Sequence, residues 1–483
     1  MPRRVLRAFA VSTLTLLVVL ASLLVGPPVT ADDGDGTADG RHAEPLDRAD
    51  GAERTLVLRD LFLARPTLEG LGREVADGLL ARPTDRSADP FGDGYDAPSV
   101  RACRRHVCVH WVRRGADAPA SRAWVETTLG VMEKVWRHHV GRLGYRAPAP
   151  DGRRGGDARF DVYLKDLGAQ GLYGYCAPER RVAGSTHRAV GYCVLDDDFS
   201  RAQYARPPMQ SLRMTASHEF FHAIQFNYDF AEDPWLLEST ATWMEEQFAD
   251  GVDDNRSFLP AGQIGQPGVP LDRYDTAGLA HYGNWTWWQF LAGRLGTDVV
   301  RKVIELTPRT HSVAALRRVL GSRGGLGRRF AGYALGNTAP ARTYPEGAAY
   351  RAAPVPERRL GPRSPRGRLE TRVDHLASAS LRLRPGPRVG DGARVRLRVD
   401  AGPRSAAVLM VQRRDGTARS RRIALDRDGR GSALARFSPS VRSVTVTVAN
   451  VSTRYRCDRG TVYACHGVPR DDGRPVVVRA ALA

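Results

Sequence analysis

Lysine is almost missing from this chain. Only Lys134, Lys165 and Lys302 occur among the 72 basic residues of a 483-residue sequence, leaving 69 arginines. That skew, with abundant alanine, glycine and aspartate, reads as GC-rich coding rather than as a surface selected to hold phosphate, so a specific nucleic-acid partner is not expected. No C-x-x-C pair occurs, which removes the usual signature of a cysteine-ligated zinc. Beyond the first thirty residues no apolar run is long enough to span a bilayer, which excludes a polytopic membrane protein. No repeat of fixed period is present.

What is present is globular: 42% of residues are hydrophobic and 26% charged, a balance that rules out extended disorder and collagen. A mass of 53.0 kDa exceeds what one core usually fills, so two or three domains are expected. The net charge of +19 is uneven. Residues 341–483 hold 30 Arg against 12 Asp and Glu, or +18, which leaves +1 for residues 1–340.

Arg3, Arg4 and Arg7 precede an apolar stretch from Ala8 to Val25, and Gly26-Pro27-Pro28 with the small residues up to Ala31 complete a secretory signal peptide over residues 1–31. The mature protein is therefore expected outside the cytoplasm, secreted, with no stable membrane insertion after cleavage. Six cysteines agree with export, and they fall into three near neighbours: Cys103 with Cys108, Cys176 with Cys193, Cys457 with Cys465. Closing short loops costs least entropy, so local disulfides are the simplest pairing.

Residues 32–95 divide into a linker poor in large aliphatics and, from Thr55 to Leu80, two short helices interrupted at Pro66, which serve as a removable pro-segment or as a brace. Over 96–340, β-rich segments (Val107 to Val112, Phe160 to Leu164, Ala189 to Leu195) alternate with an amphipathic helix from Ser121 to Leu143 and lead into a long helix near residue 210. This predicts an α+β domain. After a Pro- and Arg-rich joint at residues 342–367, the period-two runs Ala393 to Val399 and Val441 to Val448 and the apolar run Ala406 to Val411 predict a C-terminal β-sandwich over 341–483. The composition shift further implies that this tail folds separately and that truncation after about Ala339 leaves the front intact.

The chemistry is concentrated in Ser217-His218-Glu219-Phe220-Phe221-His222, an H-E-x-x-H pattern. On a helix, residues four apart share a face, so both imidazoles reach one metal, while Glu219, about 100° round, leans toward the metal's water. Pro207 and Pro208 stand where a helix start tolerates proline, and Met209 to Phe226 contains neither proline nor glycine. A second helix, beginning near Trp235 after Glu232-Asp233-Pro234, places Glu238, Ala241, Thr242 and Glu245 on one stripe. Glu238 from such a helix would complete a three-ligand site and leave a fourth position for water.

His218-Glu219-x-x-His222 followed by Trp235-Leu236-x-Glu238-x-x-Ala241 resembles the gluzincin zinc peptidases. With Ala223-Ile224-Gln225-Phe226, Tyr173-Gly174-Tyr175 and Tyr282-Gly283 ahead of Trp287-Trp288-Gln289-Phe290-Leu291, the chain is similar to a group of poorly characterised secreted bacterial metalloproteases. The resemblance covers roughly residues 55–310. It implies a zincin-like metallopeptidase fold, Zn2+ held by His218, His222 and Glu238, and Glu219 as general base. Fifteen residues separate His222 from Glu238, fewer than in the best-known gluzincins. The aminopeptidase Gly-Ala-Met-Glu-Asn signature is absent, which favours an endopeptidase acting on protein or peptide substrates. Metzincins are excluded because Gln225 and Tyr228 stand where their glycine and third histidine would fall.

Tyr282 is the chosen donor to the oxyanion, with His281 next. The strand ending near Leu195 is the chosen partner for an extended substrate, tied by a Cys176–Cys193 bridge to the Tyr173-Gly174-Tyr175 loop. Asp196-Asp197-Asp198 offers oxygens of the kind calcium takes but lacks a liganding loop pattern, so it reads as a solvated strand end, and His110, His138 and His139 read as packed or surface histidines. The basic tail supports no more than a weak contact with anionic cell surfaces. The competing function is a catalytically inactive surface- or polymer-binding protein on a zincin scaffold, which an intact ligand-and-base set opposes.

Overall fold

The computed structural model describes residues 54–85 and 94–483. The signal peptide expected over 1–31 and the linker up to residue 53 lie outside these residues. The chain mixes helices and sheets and ends in a sheet-rich region. It forms two compact units, one comprising residues up to Arg137 with Ala147–Ala231, the other His138–Arg146 with Glu232–Ala483. The composition shift near residue 340 therefore falls inside the second unit.

In the first unit, helices α1 (Arg54–Ala64) and α2 (Gly70–Leu79) flank the break at Pro66. A five-stranded sheet follows, with β1 (Ser99–Cys103), β2 (Val107–Val112), β3 (Phe160–Lys165), β4 (Gly174–Arg181) and β5 (Ala189–Asp196) ordered β1-β2-β3-β5-β4. Strands β2, β3 and β5 run parallel, and β1 and β4 are antiparallel edges. The run ending at Leu195 is thus paired on both sides and has no edge to offer a substrate; β4 holds the edge position next to it. Helix α1 packs against β4 and buries Leu56, Leu58, Leu61 and Phe62.

The chain after α2 is anchored by Arg82, whose guanidinium is 1% exposed and meets Asp151 at 2.7 Å, Asp161 at 2.6 Å and Glu179 at 2.7 Å. Helix α1 and the chain at Arg82 are therefore packed into this unit, whereas most of α2 is exposed or half-buried. Helix α3 (Arg122–Trp136) starts at Ser121, whose hydroxyl accepts from the Trp124 amide, and packs on α4 (Pro208–Asp229). Helix α4 lies across β5 and β4 and is buried all round. Glycines permit that approach: a Cβ on Gly174 would stand 2.8 Å from Thr215 Cγ2, and one on Gly191 would stand 3.0 Å from the Phe226 ring.

The second unit opens with α5 (Pro234–Ala249) and includes α6 (Trp285–Leu295), whose Trp285, Trp287 and Trp288 are buried. Its sheet-rich part holds β6 (Glu357–Leu360), β7 (Arg366–Val373), β8 (Ala377–Pro385), β9 (Arg394–Asp400), β10 (Ser405–Arg413), β11 (Ala418–Ile423), β12 (Arg430–Arg436), β13 (Val441–Asn450), the short pair β14 (Tyr455–Arg456) and β15 (Val468–Pro469), and β16 (Arg474–Leu482). One sheet is ordered β11-β10-β13-β8-β6 and another β12-β9-β16-β7, and their inward residues, Leu381, Leu409 and Val446 with Val395, Leu397 and Val478, share one core. Strand β9 shows the period of two: Val395, Leu397 and Val399 are buried while Arg394, Arg396 and Arg398 face solvent. All three local disulfides are present: Cys103–Cys108, Cys176–Cys193 and Cys457–Cys465. Three such bridges fit a secreted protein.

Candidate metal centre

Helix α4 carries a buried polar stripe. Ser211, Thr215, His218 and His222 recur at intervals of four, three and four, which holds them on one face although the helix is otherwise clothed in Leu212, Phe220, Phe221, Ile224 and Phe226. His218 is 7% exposed and His222 fully buried, with ring centroids 4.9 Å apart. Nδ1 of His222 lies 2.8 Å from Gln225 Oε1. A carboxamide oxygen only accepts, so Nδ1 carries the proton and donates, which leaves the Nε2 lone pair for a metal. Gln225 was read from the sequence only as part of a flanking motif; its place one turn beyond His222 is the signal that would have found it.

Glu219 is buried beside the two histidines on the same helix. Its Oε2 accepts from the Thr55 hydroxyl at 3.0 Å, and the Thr55 oxygen in turn accepts the Cys176 amide of edge strand β4 at 2.9 Å. One side chain of α1 thus joins the carboxylate to the sheet edge. No local pattern announces Thr55, which stands 164 residues from Glu219 in sequence.

In the second unit, Glu238 sits on α5 and is fully buried, whereas Glu245, further along the stripe, is 8% exposed. The start of α5 is held by its flanks. Trp235 Nε1 donates to Ser312 Oγ at 3.0 Å, Glu232 accepts the Ser312 amide at 3.0 Å, and Asp233 Oδ1 accepts the Cys465 amide at 2.7 Å. Glu245 belongs to no group of three potential metal ligands among the described residues. Two groups of three rest on sulfurs of the Cys103–Cys108 and Cys457–Cys465 bridges and have no thiolate to offer.

Tyr282 lies in a short helix, Ala280–Gly283, 1% exposed and stacked on Phe258 at 4.9 Å. His281 beside it is fully buried, and its Nδ1 accepts the Asp275 amide at 3.3 Å. His110 is a packed histidine: it stacks on Tyr163 at 4.7 Å and meets Asp161 at 2.7 Å. His138 and His139 face each other through Nδ1 atoms 3.0 Å apart, and burial, reinforced by Arg142, holds the His138 pKa below the usual histidine value.

No family model matches the chain, and no curated protein matches it. Among solved structures, the pre-peptidase C-terminal domain of a collagenase from Bacillus anthracis is similar at 7% identity and a TM-score of 0.17, over 28% of this chain and 98% of that one. PliG, a periplasmic inhibitor of g-type lysozyme from Aeromonas hydrophila, is similar at 10% identity and a TM-score of 0.17, over 27% and 97%. CorA, a surface-associated copper-binding protein of Methylomicrobium album BG8, is similar at 10% identity and a TM-score of 0.18, over 27% and 98%. Likenesses of this size carry no argument about function.

Proposed function

We propose that the protein is a secreted zinc-dependent endopeptidase, with a zincin-like domain whose metal ligands are His218, His222 and Glu238, followed by a β-sandwich. The observation that carries the reading is the buried donor group. Two imidazoles one turn apart on the buried face of α4, with ring centroids 4.9 Å apart, suit a zinc whose nitrogen ligands stand about 2.0–2.1 Å from the metal, and Glu238 is the proposed carboxylate ligand. The Gln225 contact supports it further, because it presents His222 in the tautomer a metal needs.

When bound, the metal supplies a water acidic enough to ionise near neutral pH and polarisation of the scissile carbonyl. Glu219 would be the general base that accepts a proton from the attacking water and passes it to the leaving amine. Thr55 holds one carboxylate oxygen of Glu219 in place. Tyr282 is the proposed hydroxyl donor to the tetrahedral oxyanion.

The test is metal analysis of the mature protein with a general protein-cleavage assay, with and without chelator. Glu219→Gln should keep zinc and lose turnover by about 10²–10⁴-fold. Near-normal cleavage by that variant sinks the mechanism.

A further inference from the structure

A second, acidic cluster stands at the C-terminal ends of the adjacent parallel strands β3 and β5. Asp196 is the last residue of β5 and pairs in register with Lys165, the last of β3; Asp166 follows directly on β3, and Asp197 on β5. One carboxylate oxygen each from Asp166, Asp196 and Asp197 lies within 4.8 Å of the others. Two of the three are committed. Asp196 is fully buried and accepts four backbone amides, from Leu167 at 3.0 Å, Gly168 at 2.9 Å, Asp198 at 3.2 Å and Phe199 at 2.5 Å. Asp166 accepts from Gln203 Nε2 at 2.8 Å.

Asp197 differs. It is 5% exposed, and among the described residues its carboxylate accepts no hydrogen bond and joins no ion pair. Lys165, the nearest cation along the strand, has its ammonium 3.1 Å from Asp117. Burial, with the carboxylates of Asp196, Asp198, Asp166 and Asp117, pushes Asp197 up to about 8. A buried carboxylate aimed at two others with no donor opposite costs free energy unless a cation supplies the missing charge.

We propose that Asp166, Asp196 and Asp197 hold a hard divalent cation, calcium, at the strand ends. An all-oxygen carboxylate set suits calcium, whose irregular coordination is completed by carbonyls and water. The segment it would fasten, Asp197 to Pro207, is the connection from β5 into α4, so calcium would stiffen the entry to the zinc helix without touching its ligands.

The experiment uses the full mature chain at fixed zinc concentration. Saturating calcium should raise the melting temperature by roughly 5–10 °C. Terbium should luminesce through Tyr204, whose hydroxyl interacts with Asp196 and, more weakly, with Asp166, and be displaced by calcium. Asp197→Asn should abolish both effects and, relieved of like-charge repulsion, melt without calcium at or above the wild-type temperature. Asp166→Asn provides the same calcium and terbium readouts should Asp197→Asn fail to fold. No calcium shift in the wild type, an undiminished shift in both variants, or an equal shift from magnesium would overturn the assignment.

Discussion

Replacing Thr55 by valine removes one oxygen and little else. The two side chains are nearly isosteric, so no cavity opens, and the cost is polar. The Cys176 amide, 2.9 Å from the lost hydroxyl, becomes a buried donor without its acceptor, at about 1–3 kcal/mol. Glu219 loses a donor to its charged oxygen, a bond of about 1.5–3 kcal/mol. The two losses share one oxygen, so a total near 3 kcal/mol is expected, and the melting temperature should fall by roughly 6–12 °C. Thr55→Ser keeps the hydroxyl and should recover most of that difference. Zinc content should not change, because Thr55 touches no proposed ligand. In the proposed reaction kcat should fall by about tenfold with KM unchanged, since the general base would be less well held. Calorimetry, metal analysis and steady-state kinetics on the three proteins check these points together. A Thr55→Val protein that melts within about 1 °C of wild type with unchanged kcat would refute the account of this bond.

Glu238→Ala should lower zinc occupancy while Glu245→Ala retains it; stoichiometric zinc in the first with loss in the second would transfer the ligand role to Glu245. Gln225→Leu should weaken zinc by about 10–100-fold in chelator competition, and unchanged affinity would remove Gln225 from the site. His375 predicts a pH dependence: burial opposes its charge, but Asp272 at 2.8 Å and Asp472 at 2.6 Å outweigh that and hold it up to about 10. A histidine whose folded pKa is raised contributes stability that is whole below its unfolded value near 6.5 and is lost as pH rises through about 10, so unfolding free energy should decline across that window and His375→Asn should flatten the slope. Truncation after Ala339 takes the Cys465 amide from Asp233, His375 from Asp272 and the Leu376 carbonyl from the Leu271 amide. The expected product is insoluble or poor in zinc, the reverse of what composition implies; a soluble, zinc-loaded truncation would show that these bonds are dispensable.

What was legible in the sequence is what short spacing encodes. The four-residue interval of His218 and His222, the paired prolines at 207 and 208, the neighbouring cysteines and the alternation along β9 are all local, and each stands in the structure where its period puts it; β13, read with the same period, is buried on nearly every residue. Strand neighbours are not local. The apolar run Ala189 to Leu195 looks the same whether it lies at an edge or inside a sheet, and only the pairing of β4 on one side and β3 on the other decides it. The bonds that position the base and the second helix also escape pattern reading: Thr55 reaches Glu219 across 164 residues, and Cys465 reaches Asp233 across 232.

Surface charge and buried contacts mark different boundaries in this chain. Composition responds to what a strand shows to water: in β9, Arg394, Arg396 and Arg398 set the basic character while Val395, Leu397 and Val399, facing inward, resemble any other core. A shift in surface charge at residue 340 therefore says nothing about which buried groups cross that point. Asp272, fully buried, accepts from His375, from the Tyr455 hydroxyl at 2.8 Å and from the Ala464 amide at 3.1 Å, three donors that all lie beyond residue 340. Burial alone would raise this carboxyl, yet those donors hold it below the usual aspartate value. Removing them would leave a buried carboxylate uncompensated, at about 3–5 kcal/mol. The sheet-rich region is thus part of what keeps the segment after α5 folded, and its inner contacts stabilise the unit that carries Glu238.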